Sequence, residues 1–211
     1  MPIRQFGRIM CLGVIVPMLA WADESHLQFS QVDLVLFYPV SQPVYRAPAR
    51  IYPVFVDQAD YYLAQPDVLG QPKLQAQEGQ PLLLLPKKYH HLQPETNAIE
   101  NSTNYRVLAH YSWRQPMRQG KKTTLFFNTA QLDGAQPLSL EHATHRAFEV
   151  SGDIVFKKQK YIDVTLHWIV KPDDATLPWH MIHLSRRLQH DQVNYLDDRN
   201  LGSLLLVTPL S

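Results

Sequence analysis

One cysteine in 211 residues, Cys11, is all the thiol chemistry this chain carries. It falls inside a leading apolar stretch that reads as removable. The remaining chain then has no disulfide, no thiolate nucleophile and no cysteine-zinc site. Glycine is also scarce, at 8 residues, and none stands in the G-x-x-x-x-G-K pattern that cradles phosphates. Beyond residue 22 no run approaches the ~18 consecutive apolar residues of a membrane-spanning helix. Charged residues make up 18% of the chain and hydrophobic ones 45%, a balance that excludes intrinsic disorder. The formal charge of +1 leaves no overall attraction to nucleic acid. A chain of this length suits one globular body with one core.

What is present begins with a three-part leader. Arg4 and Arg8 form a basic start, Ile9 to Leu19 an apolar run of 11 residues, and Ala20-Trp21-Ala22 a small-residue cleavage site. The run is too short for a bilayer, which takes roughly 20 residues, and the plan is that of a secretory signal. The expectation is a signal peptide over 1–22 and a single exported, periplasmic domain over 23–211, with no stable membrane insertion. Removing the leader exposes a modest polarity. Residues 23–104 hold 5 Lys/Arg against 9 Asp/Glu, and residues 105–211 hold 13 against 10.

The exported part divides into two zones. Val32-Asp33-Leu34-Val35-Leu36-Phe37 is an apolar run fit for a buried strand. Residues 39–94 then contain nine of the 16 prolines. Proline removes a backbone donor and blocks long helices and central strands, so this zone reads as an extended wrap. Within it, Asp57–Ala64 is expected as a short helix and Leu82 to Leu85 as a short buried strand or staple. A helix near Pro94–Ser102 is expected, with Pro94 at its first position.

The segment 105–208 reads as a β-rich body. In Tyr105–Trp113, Val107, Ala109, Tyr111 and Trp113 are expected on one face. Phe148–Phe156 and Tyr161–Ile169 flank Lys157-Lys158-Gln159-Lys160 as a hairpin with a basic tip. Met181–Leu188 and Ser203–Thr208 supply further strands. Neighbouring strands with short connections point to an α+β fold, mainly antiparallel sheet with one or two short helices and the proline-rich wrap.

Three chemistries compete. The pairs His142/His145 and His180/His183, with Glu141 or Asp191, have ligand-like spacing. On an extended strand, however, His180 and His183 face opposite ways, and there is no H-E-x-x-H. Hydrolysis would need two carboxylates across a bond, for which Asp133, Glu141, Glu149, Asp153 and Asp163 are unspecific candidates. No G-x-S-x-G or S-x-x-K nucleophile motif occurs. Binding is better supported. Arg114, Arg118, Lys121 and Lys122 place four cations in nine residues directly after Tyr111 and Trp113. Lys157, Lys158 and Lys160 add three, and Arg186 and Arg187 a pair. Guanidinium forks match carboxylates, and flat rings stack on sugars or cations. A polymer carrying both sugars and peptide carboxylates fits, and peptidoglycan is the periplasmic one. Tyr111 or Trp113 would stack on glycan if exposed; core packing is the competing role for Trp113 and Trp168.

Tyr105-Arg-Val-Leu-Ala-His110-Tyr-Ser-Trp113-Arg-Gln-Pro116 resembles the YRxLxHxxWRQP signature of the CsiV family of cell-shape-integrity, peptidoglycan-binding proteins of Gram-negative bacteria. The VDLVLF-type strand, Gly152–Trp168, Ser185-Arg186-Arg187, Tyr195-Leu196-Asp197, Gly202 and Val207-Thr208-Pro209 follow the same order. Asp198-Arg199-Asn200 departs from the family's His-Pro and apolar residue. The resemblance implies a periplasmic, non-catalytic factor without cofactor. It would bind peptidoglycan and assist a class A penicillin-binding protein together with the outer-membrane lipoprotein that activates that synthase. A protein–protein adaptor without direct glycan binding is the alternative, and a wall hydrolase the third.

Overall fold

The structure, a computed structural model, describes residues 28–40, 59–64, 79–133, 148–172, 179–198 and 201–210. The expected signal segment, His142, His145, Glu141 and much of the proline-rich zone fall outside those residues. Among these described residues ten strands form two sheets. The first is four-stranded, in the order β4(Tyr105–Met117), β1(Gln28–Pro39), β10(Gly202–Pro209), β9(Asn194–Asp197). The second is six-stranded, in the order β3(Gln80–Leu83), β2(Tyr61–Ala64), β5(Lys122–Asn128), β6(Phe148–Lys158), β7(Ile162–Pro172), β8(His180–Leu188). Pairing is antiparallel throughout, except that β2 runs parallel to both β3 and β5. Two helices, α1(Gln93–Glu100) and α2(Thr129–Asp133), complete an α+β fold dominated by antiparallel sheet.

The sheets pack face to face, because alternate residues on each present a continuous apolar surface. Val32, Leu34, Leu36, Tyr111, Trp113, Leu205 and Val207 from the first meet Leu125, Phe127, Ile154, Phe156, Val164, Leu166 and Trp168 from the second in one core. Truncating a large ring in such a core typically costs about 3–5 kcal/mol. On its other face the four-stranded sheet is covered by α1 and the segment before it. Leu92 packs there with Val35 and Phe37, flanked by Ile99, Val107, Leu204 and Leu206. Strand β1 is therefore buried on both faces over all residues from Ser30 to Phe37.

Several sequence expectations change. Tyr61–Ala64 is a strand and not part of a helix, held between β3 and β5 by parallel pairing. Of the four leucines, Leu82 and Leu83 end a strand that begins at Gln80, and Leu84 makes an isolated bridge to Trp113; only Leu84 is buried, and Leu83 is exposed. Helix α1 starts at Gln93, one residue before Pro94, whose missing N–H still falls in the first turn, where no intrahelical partner exists. Val107 does not share a face with Ala109, Tyr111 and Trp113. The β1–β4 register shifts between Leu36/Phe37, so that Leu36 pairs with Ala109 and Phe37 with Val107. Leu108 is the extra residue, and Val107 turns toward α1.

Gly152 marks a close backbone approach between β6 and β7. Its φ is 143°, and a Cβ there would lie 2.1 Å from the His167 carbonyl oxygen. Both the dihedral and the contact involve backbone that no rotamer change relieves. Gly152→Ala should lower stability by about 2 kcal/mol or more, read as a shift in urea midpoint at unchanged slope. An unshifted midpoint would contradict this packing.

Candidate functional site

Two cation clusters that lie far apart in the chain meet at one end of the six-stranded sheet. Strand β4 leaves the first sheet at Met117, and residues 118–121 carry the chain across to β5 in the second. That turn is pinned to β6 through Gly120 N–H donating to the Lys158 carbonyl at 2.7 Å and a parallel bridge from Gln119 to Lys158. Lys122 then pairs directly with Lys157 across β5 and β6, and Lys157 with Asp163 across β6 and β7. Asp163 pairs in turn with Arg187 on β8. Arg118, Lys121, Lys122, Lys160 and Arg187 are exposed, and Lys157 and Lys158 are half-buried. The single carboxylate in this register row, Asp163, accepts from Arg187 Nε at 2.9 Å. Exposed Tyr161 lies beneath two cations, with Arg187 Cζ 5.1 Å and Lys160 Nζ 5.6 Å from its ring centroid. Lys158 is partly withdrawn: burial lowers its pKa, and its ammonium donates to the Gln28 side-chain carbonyl.

The other expected site residues are distributed differently. Arg114 is exposed on the outward face of the four-stranded sheet, opposite Gln31. Arg186 and Arg187 are neighbours on a strand and so point to opposite faces. Arg187 joins the basic row, whereas Arg186 donates through Nη1 to the Tyr195 carbonyl at 2.5 Å, tying β8 to β9. The glycan-stacking role expected of Tyr111 and Trp113 on condition of exposure is corrected. Trp113 is 0% exposed and Tyr111 4%, both inside the inter-sheet core. Trp113 Nε1 donates to Gln115 Oε1 at 2.7 Å, which satisfies the indole where it lies. Trp168 is likewise a core residue, edge-on to Phe127.

Exposed aromatic surface occurs elsewhere, where sequence reasoning did not look. On the outward face of the four-stranded sheet Phe37 is flanked by Tyr105, edge-on at 5.6 Å, and Tyr195, stacked at 6.1 Å. Phe37 is buried while both tyrosines are exposed. Gly202 makes this possible, since a Cβ there would fall 2.5 Å from the Phe37 ring. The signal in the sequence was phase: Tyr105 shares its side of β4 with Val107, and the bulge turns that side outward.

Beneath α1 lies a buried polar network. Asp33, fully buried, accepts from the His91 backbone N–H at 2.9 Å and from Gln31 Nε2 at 3.2 Å. Gln31 Nε2 also reaches the Tyr89 carbonyl and Ser112 Oγ. The Thr96 hydroxyl donates to the Leu92 carbonyl, so its oxygen receives the His110 Nδ1 proton at 3.0 Å. His110 Nε2 has no partner; it faces Asp33 at 4.0 Å. Burial first, then His90 and Lys87, push the His110 pKa down to about 3, so this imidazole is neutral and the approach is no ion pair. His90, its ring 4.3 Å from that of His110, is also lowered by burial. The network fastens residues 86–92 to the sheet.

Among the described residues the acids and histidines do not assemble into a centre. Glu149 pairs with Lys171, and Asp163 with Arg187. Asp153, raised to about 6 by burial, lies four positions along β6 from each of Glu149 and Lys157, a backbone distance of about 13 Å. His180 bonds Asp198 at 2.8 Å, while His183 packs on His167 across the opposite face. Among the described residues no group of three or more His, Cys, Asp and Glu could hold a metal ion. No helix among them is long and apolar enough to cross a membrane.

A model of the family described as "Peptidoglycan-binding protein, CsiV" matches residues 21–210. No curated protein and no solved structure matches the chain. The stretch Tyr105–Pro116, which carried the resemblance in the sequence, divides between two surfaces of β4. Trp113 and Gln115 point into the core and His110 into the polar network, so much of that signature secures the sheet.

The neutral state of His110 has a pH consequence. Its folded pKa of about 3 lies below the ordinary 6.5, so under acid conditions the unfolded chain takes up a proton that the folded chain refuses. This contribution is complete above about pH 6.5 and is lost as pH falls toward 3. Between about pH 7.5 and about pH 4.5, the wild type should lose more stability than His110→Asn, by on the order of 2 kcal/mol in urea unfolding. Equal losses would sink the assignment of a buried neutral imidazole.

Proposed function

We propose, from the premise that the chain belongs to the CsiV family of peptidoglycan-binding proteins, that it grips the peptidoglycan stem peptides with the basic end of its six-stranded sheet. Arg118, Lys121, Lys122, Lys157, Lys160 and Arg187 are the contact residues, with Lys158 behind them. The observation that supports this reading is the register pair of Lys122 with Lys157, which turns two separate runs of cations into one patch. Stem peptides end in carboxylates, and ammonium and guanidinium groups take them with charge-assisted hydrogen bonds. Each exposed pair contributes about 0–1 kcal/mol, so single contacts are weak and binding rests on many repeats of one polymer. Arg114 and Arg186 are secondary contacts on other faces.

In the same reading residues 1–22 direct export, residues 23–211 work in the periplasm, and the protein makes and breaks no bond. It holds the wall polymer beside a class A penicillin-binding protein and the lipoprotein activator of that synthase, the role the family resemblance implies.

Sedimentation with purified sacculi tests the patch. Wild-type protein should pellet at low salt and much less at high salt, because exposed pairs are screened. Replacing Arg118, Lys121, Lys122 and Lys157 by Ala should weaken pelleting about tenfold or more, and Arg114→Ala with Arg186→Ala far less. Undiminished pelleting of the four-residue variant would remove the patch from the reading. Soluble muropeptides in the supernatant would make the protein a hydrolase instead.

A further inference from the structure

The basic patch accounts for carboxylates, yet the polymer is also a chain of amino sugars, and the rings expected to stack on them are buried. We infer that Tyr105 and Tyr195 form a second binding site, one that takes the glycan backbone of peptidoglycan through its N-acetylated sugar rings. This rests on the peptidoglycan reading and adds to it which part of the polymer is held, and where.

The geometry is that of a short platform. The two tyrosines flank Phe37 on one face of one sheet, at 5.6 Å and 6.1 Å between centroids, and are 39% and 46% exposed. They are fixed from behind. Tyr105 stands opposite Pro39 at the start of β4, and Tyr195 opposite Leu204 in β9. Arg186 holds the Tyr195 carbonyl from the neighbouring sheet. Phe37 cannot retreat toward the sheet edge without leaving the hollow above Gly202, which only a residue without Cβ provides. A sugar ring has an apolar face of axial C–H bonds and a rim of hydroxyl and acetamido groups. An aromatic ring receives the first, and polar groups at its edge receive the second.

Such polar groups are present. Tyr195 has a hydrogen bond with the side chain of Asp197, which lies two positions along β9 and so on the same face, and both tyrosines carry a hydroxyl at the ring edge; Arg106, the neighbour of Tyr105 on β4, points to the other face. Burial, Asp197 and the Tyr105 hydroxyl together raise the Tyr195 pKa, in keeping with a phenol that donates to the Asp197 carboxylate and leaves its oxygen lone pairs to accept. A protein partner would favour a larger apolar surface than two half-exposed rings with a charged rim. The site is also separate from the cations: Phe37 lies nine positions along β1, about 30 Å of strand, from Gln28, which holds Lys158. One polymer chain engaged at both places would be held by two weak sites acting together.

The test compares three ligands: intact sacculi, glycan strands stripped of their stem peptides by an amidase, and an N-acetylglucosamine oligomer. Wild-type protein should bind all three. Tyr105→Ala with Tyr195→Ala should lose about tenfold or more for stripped glycan and the oligomer, while keeping salt-sensitive pelleting through the cations. Tyr105→Phe with Tyr195→Phe should restore most of the loss, which a folding defect in the Ala variant would not allow without also abolishing sacculus binding. If wild-type protein pellets with sacculi but ignores both peptide-free ligands, or if the Ala variant binds them undiminished, the second site is wrong and the peptidoglycan reading stands. If sacculi are not bound at all, the peptidoglycan reading itself falls.

Discussion

From Ser30 to Phe37 strand β1 has no solvent face, and that constraint organises the rest of the molecule. Its inward residues Val32, Leu34 and Leu36 belong to the core between the sheets, while its outward residues Val35 and Phe37 lie under α1 and the loop before it. A strand buried on both sides must satisfy whatever polar groups it carries. Gln31 and Asp33 do so by gathering Ser112, the Tyr89 carbonyl and the His91 N–H around them. Residues 86–92 are thereby held on the sheet, α1 follows directly, and His110 is enclosed in neutral form.

The strands were legible where one face is wet and the other dry. β5, β6 and the first half of β7 alternate between buried and half-buried positions, and the basic hairpin tip follows from their ends. β1 was legible for the opposite reason, as an unbroken apolar run. What alternation could not show was a change of phase. The bulge opposite Leu36/Phe37 reverses Val107 relative to Ala109, and with it Tyr105, so Tyr105 reaches solvent while Tyr111 and Trp113, which stand next to Arg114 in the sequence, are buried. The short strand β2 was hidden because four residues of Tyr-Tyr-Leu-Ala carry no period, and its parallel pairing with β5 is a long-range event. Pairing between strands distant in the chain was equally invisible: each cluster of Lys and Arg was plain in the sequence, but only strand register joins them.

Arg114 and Trp113 are thus parted on this fold, although they are adjacent in the sequence, while exposed Tyr161 keeps its ring beneath Arg187 and Lys160. A strand enforces that separation, since each successive side chain crosses the sheet. The same rule sends Arg186 to a structural contact with β9 and Arg187 to the outward row. Composition therefore identified the kind of ligand more readily than the residues that meet it.

The crossover at residues 118–121 carries a final implication. Because Gly120 N–H and Gln119 are fastened to Lys158 by main-chain hydrogen bonding, this turn is not a free loop, and the spacing of Arg118, Lys121 and Lys122 is set before any ligand arrives. Pre-organised cations forfeit less conformational entropy when they close on a partner. A floppy basic tail of identical charge would have to freeze its own backbone as well, and would hold a stiff, repeating lattice more loosely.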